Sequence, residues 1–448
     1  MTPAGPERLA PLRAEPAPVA APRLAPGVEL LGPYKDSGLE NPPYLVRRGG
    51  TVLQVSGLLH VVAAGMDGSR QLDEIAALAG AELDRQLSAD DIRHLVETKL
   101  VPAGIVAPDG EPVDAPSPPP AADERLLALR FRWGVLGPQD VDAAARLLGG
   151  LFRPAVLAGI LAAVVGFDGW LFAVHGVGDA LAEILREPAL LLFILALTCL
   201  SGAFHELGHA AACRYSGARP GMVGAGIYLI WPVLFTDVTD AYRLGRVGRL
   251  RTDLGGIYFN AVFVAGLACA YFATGFEPLL AAVVVQHAAV LDQLMPWVRF
   301  DGYYVISDLT GVPDILDRVR PALRSVIPGR RPDPEILALR PESRRLLLAY
   351  LGSLVVFVAV AGVTTVWEGP GLFATEWHSL LSQLHHLRAA IGMWDLPVGV
   401  LVTAQIALLA LPTAGLALLL GSLAARARDR RSRPLTGRAT RTGALRSA

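Results

Sequence analysis

The sequence predicts a mainly α-helical, polytopic membrane bundle of about six spans, preceded by a small N-terminal α/β domain. Three observations predict it. The 448 residues are 52% hydrophobic and only 18% charged, with a mean hydropathy of +0.43, more apolar than a water-soluble chain of this length. Apolar runs at about 154–174, 190–215, 254–274, 278–298, 346–366 and 397–424 match the roughly 20 residues that a bilayer core demands. The stretch ahead of them is broken by turn residues and mixes strand and helix periods.

Residues 1–26 are rich in Pro and Ala without periodicity, and read as a disordered tail. Residues 27–107 turn globular. Tyr44-Leu45-Val46 and Val52-Leu53-Gln54-Val55 flank Gly49-Gly50, a strand, turn and strand. A short apolar helix follows at 58–64. Leu72, Ile75, Ala76 and Leu78, then Ile92, Leu95, Val96 and Leu100, repeat at helical spacing. Ser88 with Asp91 three residues on forms a capping box for the last helix. Two strands and three helices are enough to bury a small core.

Residues 108–124 are a Pro-rich, extended linker. Residues 125–153 mix Arg130, Arg132 and Arg146 with leucines, an amphipathic segment expected on the cytosolic membrane surface. The spans fill 154–425, and 426–448 is a basic tail. Arg243, Arg246, Arg249 and Arg251, the arginines of 299–345 and that tail all fall on one side, which places both termini in the cytosol. The N-terminus shows no basic-then-apolar signal peptide, in keeping with that orientation. Cys199, Cys213 and Cys269 lie in or beside apolar runs, so no disulfide framework is expected.

The second span carries His205, Glu206 and His209, the pattern H-E-x-x-H. On a helix the two histidines share a face one turn apart, so both imidazoles can reach one metal ion, with Glu206 beside them as a base. The rival reading is a pair of satisfied core histidines. Lipid opposes it, because ionisable side chains in a membrane helix are costly without a function.

Two imidazoles leave a catalytic zinc site short of one protein ligand. His209 lies about 12 Å below the helix end near Gly217. The fourth span meets Pro296, which should break it, and apolar character resumes after Asp301-Gly302. If Asp301 opens that second half-helix, its depth is about 15 Å, close to that of His209. The alternative for Asp301 is a plain N-cap. Cys213 competes by spacing, but ligands at i, i+4 and i+8 climb about 12 Å along one helix, too far for one ion. Between spans two and three, 221–235 (GMVGAGIYLIWPVLF) is apolar, short and Gly/Pro-rich. It suits a re-entrant hairpin; the alternative is an interfacial loop anchored by Tyr228 and Trp231.

FHELGHAAACR, the hairpin after it and MPWVRFDGYYVISDLTGVP together resemble the site-2 protease family of intramembrane zinc metalloproteases. The resemblance covers roughly 150–315 and is closest to a bacterial branch of peptide zinc metalloproteases that joins a PqqD-like domain to this core. It implies Zn2+ held by His205, His209 and Asp301, with Glu206 as catalytic base, in a bacterial plasma membrane. The family pattern N-x-x-P before the D-G pair has Gln293 at the asparagine position. Glutamine offers the same amide on a longer arm for holding substrate or an oxyanion. Residues 27–107 resemble, by pattern, the PqqD-like winged-helix domains that bind leader peptides by strand addition. A regulatory or structural cytosolic cap is the bland alternative, and the segment has no concentrated basic face for nucleic acid.

The expected function is therefore hydrolysis, near the cytosolic face, of a peptide bond in a membrane-associated or leader-bearing peptide or a membrane protein. The alternative is a non-catalytic zinc-containing membrane protein that binds or exports a modified peptide through its N-terminal domain. Substrate identity and oligomeric state are left open. His287 is expected to be hydrogen-bonded inside the bundle, His175, His378, His385 and His386 to lie on the outer side, and Asp237 and Asp240 to cap a turn.

Overall fold

The computed structural model describes residues 21–48, 51–106, 129–178, 180–181, 188–228, 231–327, 329, 331–393, 398–400, 402–407, 410 and 421. The Gly49-Gly50 turn, the linker at 108–124, the basic tail at 426–448 and all but 21–26 of the N-terminal tail lie outside them. The chain forms two compact units, one of Met1–Tyr34 with Pro43–Pro120, the other of Lys35–Pro42 with Ala121–Ala448.

The first unit contains β1 (Val28–Pro33), β2 (Tyr44–Arg48), β3 (Thr51–Val55), α1 (Gly57–Ala64), α2 (Leu72–Leu83) and α3 (Ala89–Leu95). β2 and β3 pair antiparallel as their alternation requires, and β1, which the sequence reading omitted, adds a third strand against β2. Ser88 and Asp91 make the expected capping box. Val46, Val62, Ile75, Ile92 and Leu100 are fully buried in one cluster. Each such side chain contributes roughly 1.5–3 kcal/mol, which gives this small unit its own core.

The second unit runs β4 (Leu129–Leu136), α4 (Pro138–Leu148), α5 (Pro154–Trp170), α6 (Pro188–Tyr215), β5 (Val223–Tyr228), β6 (Trp231–Thr236), α7 (Arg246–Asp253) and α8 (Gly255–Thr274). α9 (Pro278–Gln293), α10 (Asp301–Thr310), α11 (Val319–Val326), α12 (Pro334–Leu337) and α13 (Pro341–Gly392) complete it. Proline stands in the first turn of α4, α5, α9 and α13, where its missing N–H costs nothing.

Four helical segments, Pro154–His175, Leu190–Tyr215, Gly255–Thr274 and Pro341–Glu368, are long and apolar enough to cross a membrane. The expected fourth span stops at Gln293, and its 16 residues reach only about 24 Å. α13 does not end with its apolar run but continues to Gly392. The sixth expected span falls partly outside the described residues.

Residues 125–153 are not one amphipathic segment. Their described part is a strand followed by an amphipathic helix, because Leu129–Leu136 finds an edge to pair with in the hairpin of β5 and β6. The sheet order is β4-β5-β6, which leaves β6 at an edge.

Candidate metal centre

α6 presents His205 and His209 one turn apart, with their Nε2 atoms 3.1 Å from each other. α10 brings the third group. α9 ends at Gln293 ahead of Pro296, the chain turns, and Asp301 becomes the first residue of α10. The cap of that helix is Phe300, so the Asp301 carboxylate is not used as an N-cap. It lies instead with Oδ2 3.2 Å from His205 Nε2 and Oδ1 3.4 Å from His209 Nε2. Gly311 ends the helix in a left-handed conformation, and Val312 N donates back to Ser307 O.

These three residues form the one group of metal-ligand type found among the described residues, with ligand atoms all within 4.8 Å. The arrangement fits a metal ion. A tetrahedral ion with bonds of about 2.05 Å holds its ligands about 3.35 Å apart, close to the separations here. His209 Nδ1 donates to Thr252 O at 2.8 Å, so its Nε2 lone pair faces inward. Asp301 Oδ2 is buried without a hydrogen-bond donor. A single proton satisfies one of the three mutual contacts; one cation satisfies all three. Two imidazoles, a carboxylate and an open fourth place form a donor set that zinc takes in catalytic sites.

Space for the imidazoles comes from α8. A Cβ on Gly256 would stand 2.5 Å from Nε2 of both His205 and His209. Only glycine lets this helix pass so close.

Glu206 points into a cleft of about 460 Å³ that is also lined by Thr236, Gln293, Asp301 and Tyr304. Thr236, the last residue of β6, has its Oγ1 2.7 Å from Glu206 Oε2 and 2.8 Å from Glu206 O. The hydroxyl donates to the carboxylate and holds it at the end of the sheet edge. Residues 233–236 of β6 line the same cleft. Gln293 is half-buried at the end of α9 and is placed on the cleft wall.

On the wall of the same cleft, Arg249 Nε donates to Asp308 Oδ1 at 2.7 Å and so ties α7 to α10. Arg249 is 2% exposed, and such a buried pair keeps its geometry because breaking it strands a charge. Burial, and then the neighbouring Asp308, hold the Asp253 carboxyl well above the ordinary carboxylate range.

The other polar residues take structural places. Cys213 is buried with Ala218 and Ala241, away from the imidazole pair. His287 Nε2 lies 2.9 Å from Asp168 Oδ2, and its Nδ1 2.8 Å from Val283 O. Asp237 Oδ1 accepts from Thr239 N as the expected turn cap, whereas Asp240 Oδ2 accepts from Arg219 N, 21 residues earlier, and ties the loop after α6 to this turn rather than capping it. Sequence reasoning missed Gly256, Thr236, Thr252 and Arg249. The Gly255-Gly256 pair heading an apolar span was a readable sign of close helix approach; the other three carry no local signal.

No family model matches this chain, and no curated protein or solved structure matches it.

Proposed function

We propose that this chain is an intramembrane zinc metalloprotease that hydrolyses a peptide bond of a membrane-associated or leader-bearing peptide near the cytosolic face. One observation carries the reading: His205, His209 and Asp301, from two separate helices, converge within coordinating distance beside Glu206. The resemblance of FHELGHAAACR and MPWVRFDGYYVISDLTGVP to the site-2 protease family supports it, as do four helices able to cross a membrane. The topology expected from the apolar runs and the arginine distribution, about six spans with both termini cytosolic, in a bacterial plasma membrane, belongs to the same proposal.

A zinc ion held by His205, His209 and Asp301 supplies Lewis acidity toward a peptide carbonyl and acidifies water. Every other part falls to the chain. Thr236 steadies Oε2 of Glu206, and Oε1 takes the proton from the attacking water and returns it to the leaving amine. An extended substrate segment pairs with the outer edge of β6, where main-chain hydrogen bonds replace those it loses on unwinding. That edge ends at Thr236, beside the base. Gln293 reaches the substrate carbonyl with its amide. The N-terminal unit, a three-stranded sheet with three helices, suits capture of a leader peptide by strand addition.

The test separates this reading from a zinc-containing binder or exporter. Glu206→Gln should keep stoichiometric zinc and lose cleavage, whereas His205→Ala should lose the zinc. Cleavage that continues undiminished in Glu206→Gln would overturn the mechanism.

A further inference from the structure

The chain leaves the first unit after Tyr34 and returns to it at Pro43; the residues between, Lys35–Pro42, belong to the second unit. There they are held on both sides. On one side, Asp36 Oδ2 accepts from Arg246 N at 2.8 Å, capping α7, whose own N-cap Gly245 has no side chain to do so. Arg246 Nη2 donates to Asp36 O at 3.1 Å, and Arg249 Nη1 to Lys35 O at 3.1 Å. On the other side, Gly38 N donates to Gly311 O at 2.8 Å, at the end of α10. Arg340 N donates to Gly38 O at 2.8 Å and Glu40 N to Ala338 O at 2.9 Å, at the entry to α13.

The fit has no slack. A Cβ on Gly38 would stand 2.2 Å from Thr310 O and 2.5 Å from Ser343 Oγ. Asp36 adopts a φ of 54°, in the left-handed region that Asp and Asn tolerate better than other non-glycine residues.

The two clamped helices are the ones that finish the metal centre. α7 carries Thr252, whose carbonyl orients His209, and α10 starts with Asp301. α10 has only ten residues, too few to be stable alone, so its placement depends on what it packs against. A metal site tolerates errors of about 0.2 Å in ligand position.

We propose that Lys35–Pro42 is a positioning segment of the metal centre. It touches no reacting atom; it clamps α7 against the end of α10 and thereby sets the distance between Asp301 and the imidazole pair. The inference rests on reading His205, His209 and Asp301 as metal ligands, and it reaches a stretch of sequence more than 150 residues from any of them.

The experiment uses the purified full-length chain, stripped of metal, with zinc affinity read by competition against a chromophoric chelator. The visible bands of the cobalt-substituted protein report whether Asp301 still coordinates. Asp36→Ala and Gly38→Ala should each weaken zinc binding by about ten-fold and shift the cobalt bands. Asp36→Asn, which keeps an acceptor for Arg246 N and tolerates the same backbone, should restore both. Val62→Ala in the core of the first unit should lower thermal stability without moving either readout. If Gly38→Ala fails to accumulate, the Asp36 pair decides alone.

Parental zinc affinity and unchanged cobalt bands in Asp36→Ala would overturn the inference while leaving the protease reading intact. Weakened binding in the variants of a parent that cleaves no peptide would uphold the inference and sink the protease. A parent that takes up no zinc overturns both.

Discussion

Gly256→Ala should strike the metal centre through a residue that holds no metal. The added methyl would stand 2.5 Å from Nε2 of each imidazole. Non-bonded heavy atoms settle at about 3.5 Å, so it overlaps both nitrogens by about 1 Å. Either α8 backs away from α6 or the imidazoles turn aside, and each move exceeds the roughly 0.2 Å that a metal site tolerates. We expect zinc affinity to fall by about 100-fold, or about 2.7 kcal/mol, the upper end of what outer-shell changes produce. Competition with a chelator on detergent-purified protein measures it. Gly266→Ala on the same helix is the control, because a Cβ there meets nothing within 4 Å. Equal zinc affinity in the two variants would refute the geometry on which the whole site depends.

Further outcomes follow from neighbouring contacts. Thr236→Val removes the hydroxyl 2.7 Å from Glu206 Oε2 and should lower kcat about ten-fold or more with KM unchanged, while Thr236→Ser keeps the parental rate in a steady-state cleavage assay. Arg249→Met leaves the buried Asp308 carboxylate without its guanidinium and should destabilise the protein by about 3–5 kcal/mol, read as a fall in thermal midpoint. In the first unit, the Ser88 backbone N–H and then its hydroxyl hold the Asp91 carboxyl below the usual carboxylate range. A depressed acid stabilises the fold above its unfolded pKa and loses that contribution as pH falls through the folded one. Hence the stability gap between the parent and Ser88→Ala should be widest at neutral pH and narrow in acid, where only the cap that the hydroxyl accepts from Asp91 N remains, as followed by circular dichroism.

Whatever depends on short-range physics is legible in the order of the residues. Helical spacing placed His205 and His209 on one face, Pro296 ended α9, and Asp301 opened the next helix, since each depends on residues within a turn or two. The capping box at Ser88 and the β2–β3 pair were legible for the same reason. Which elements meet is a matter of long-range packing. β4 reads as part of an amphipathic segment until the hairpin of β5 and β6 offers it an edge 90 residues later. Gly256 and Thr236 gain their meaning only when α8 and β6 come to rest against α6. Lys35–Pro42 carries no local sign of its role, and its partners lie more than 200 residues onward. Local preferences fix which elements form; the burial of polar backbone and of charged groups selects their neighbours, and that selection depends on the whole packed chain.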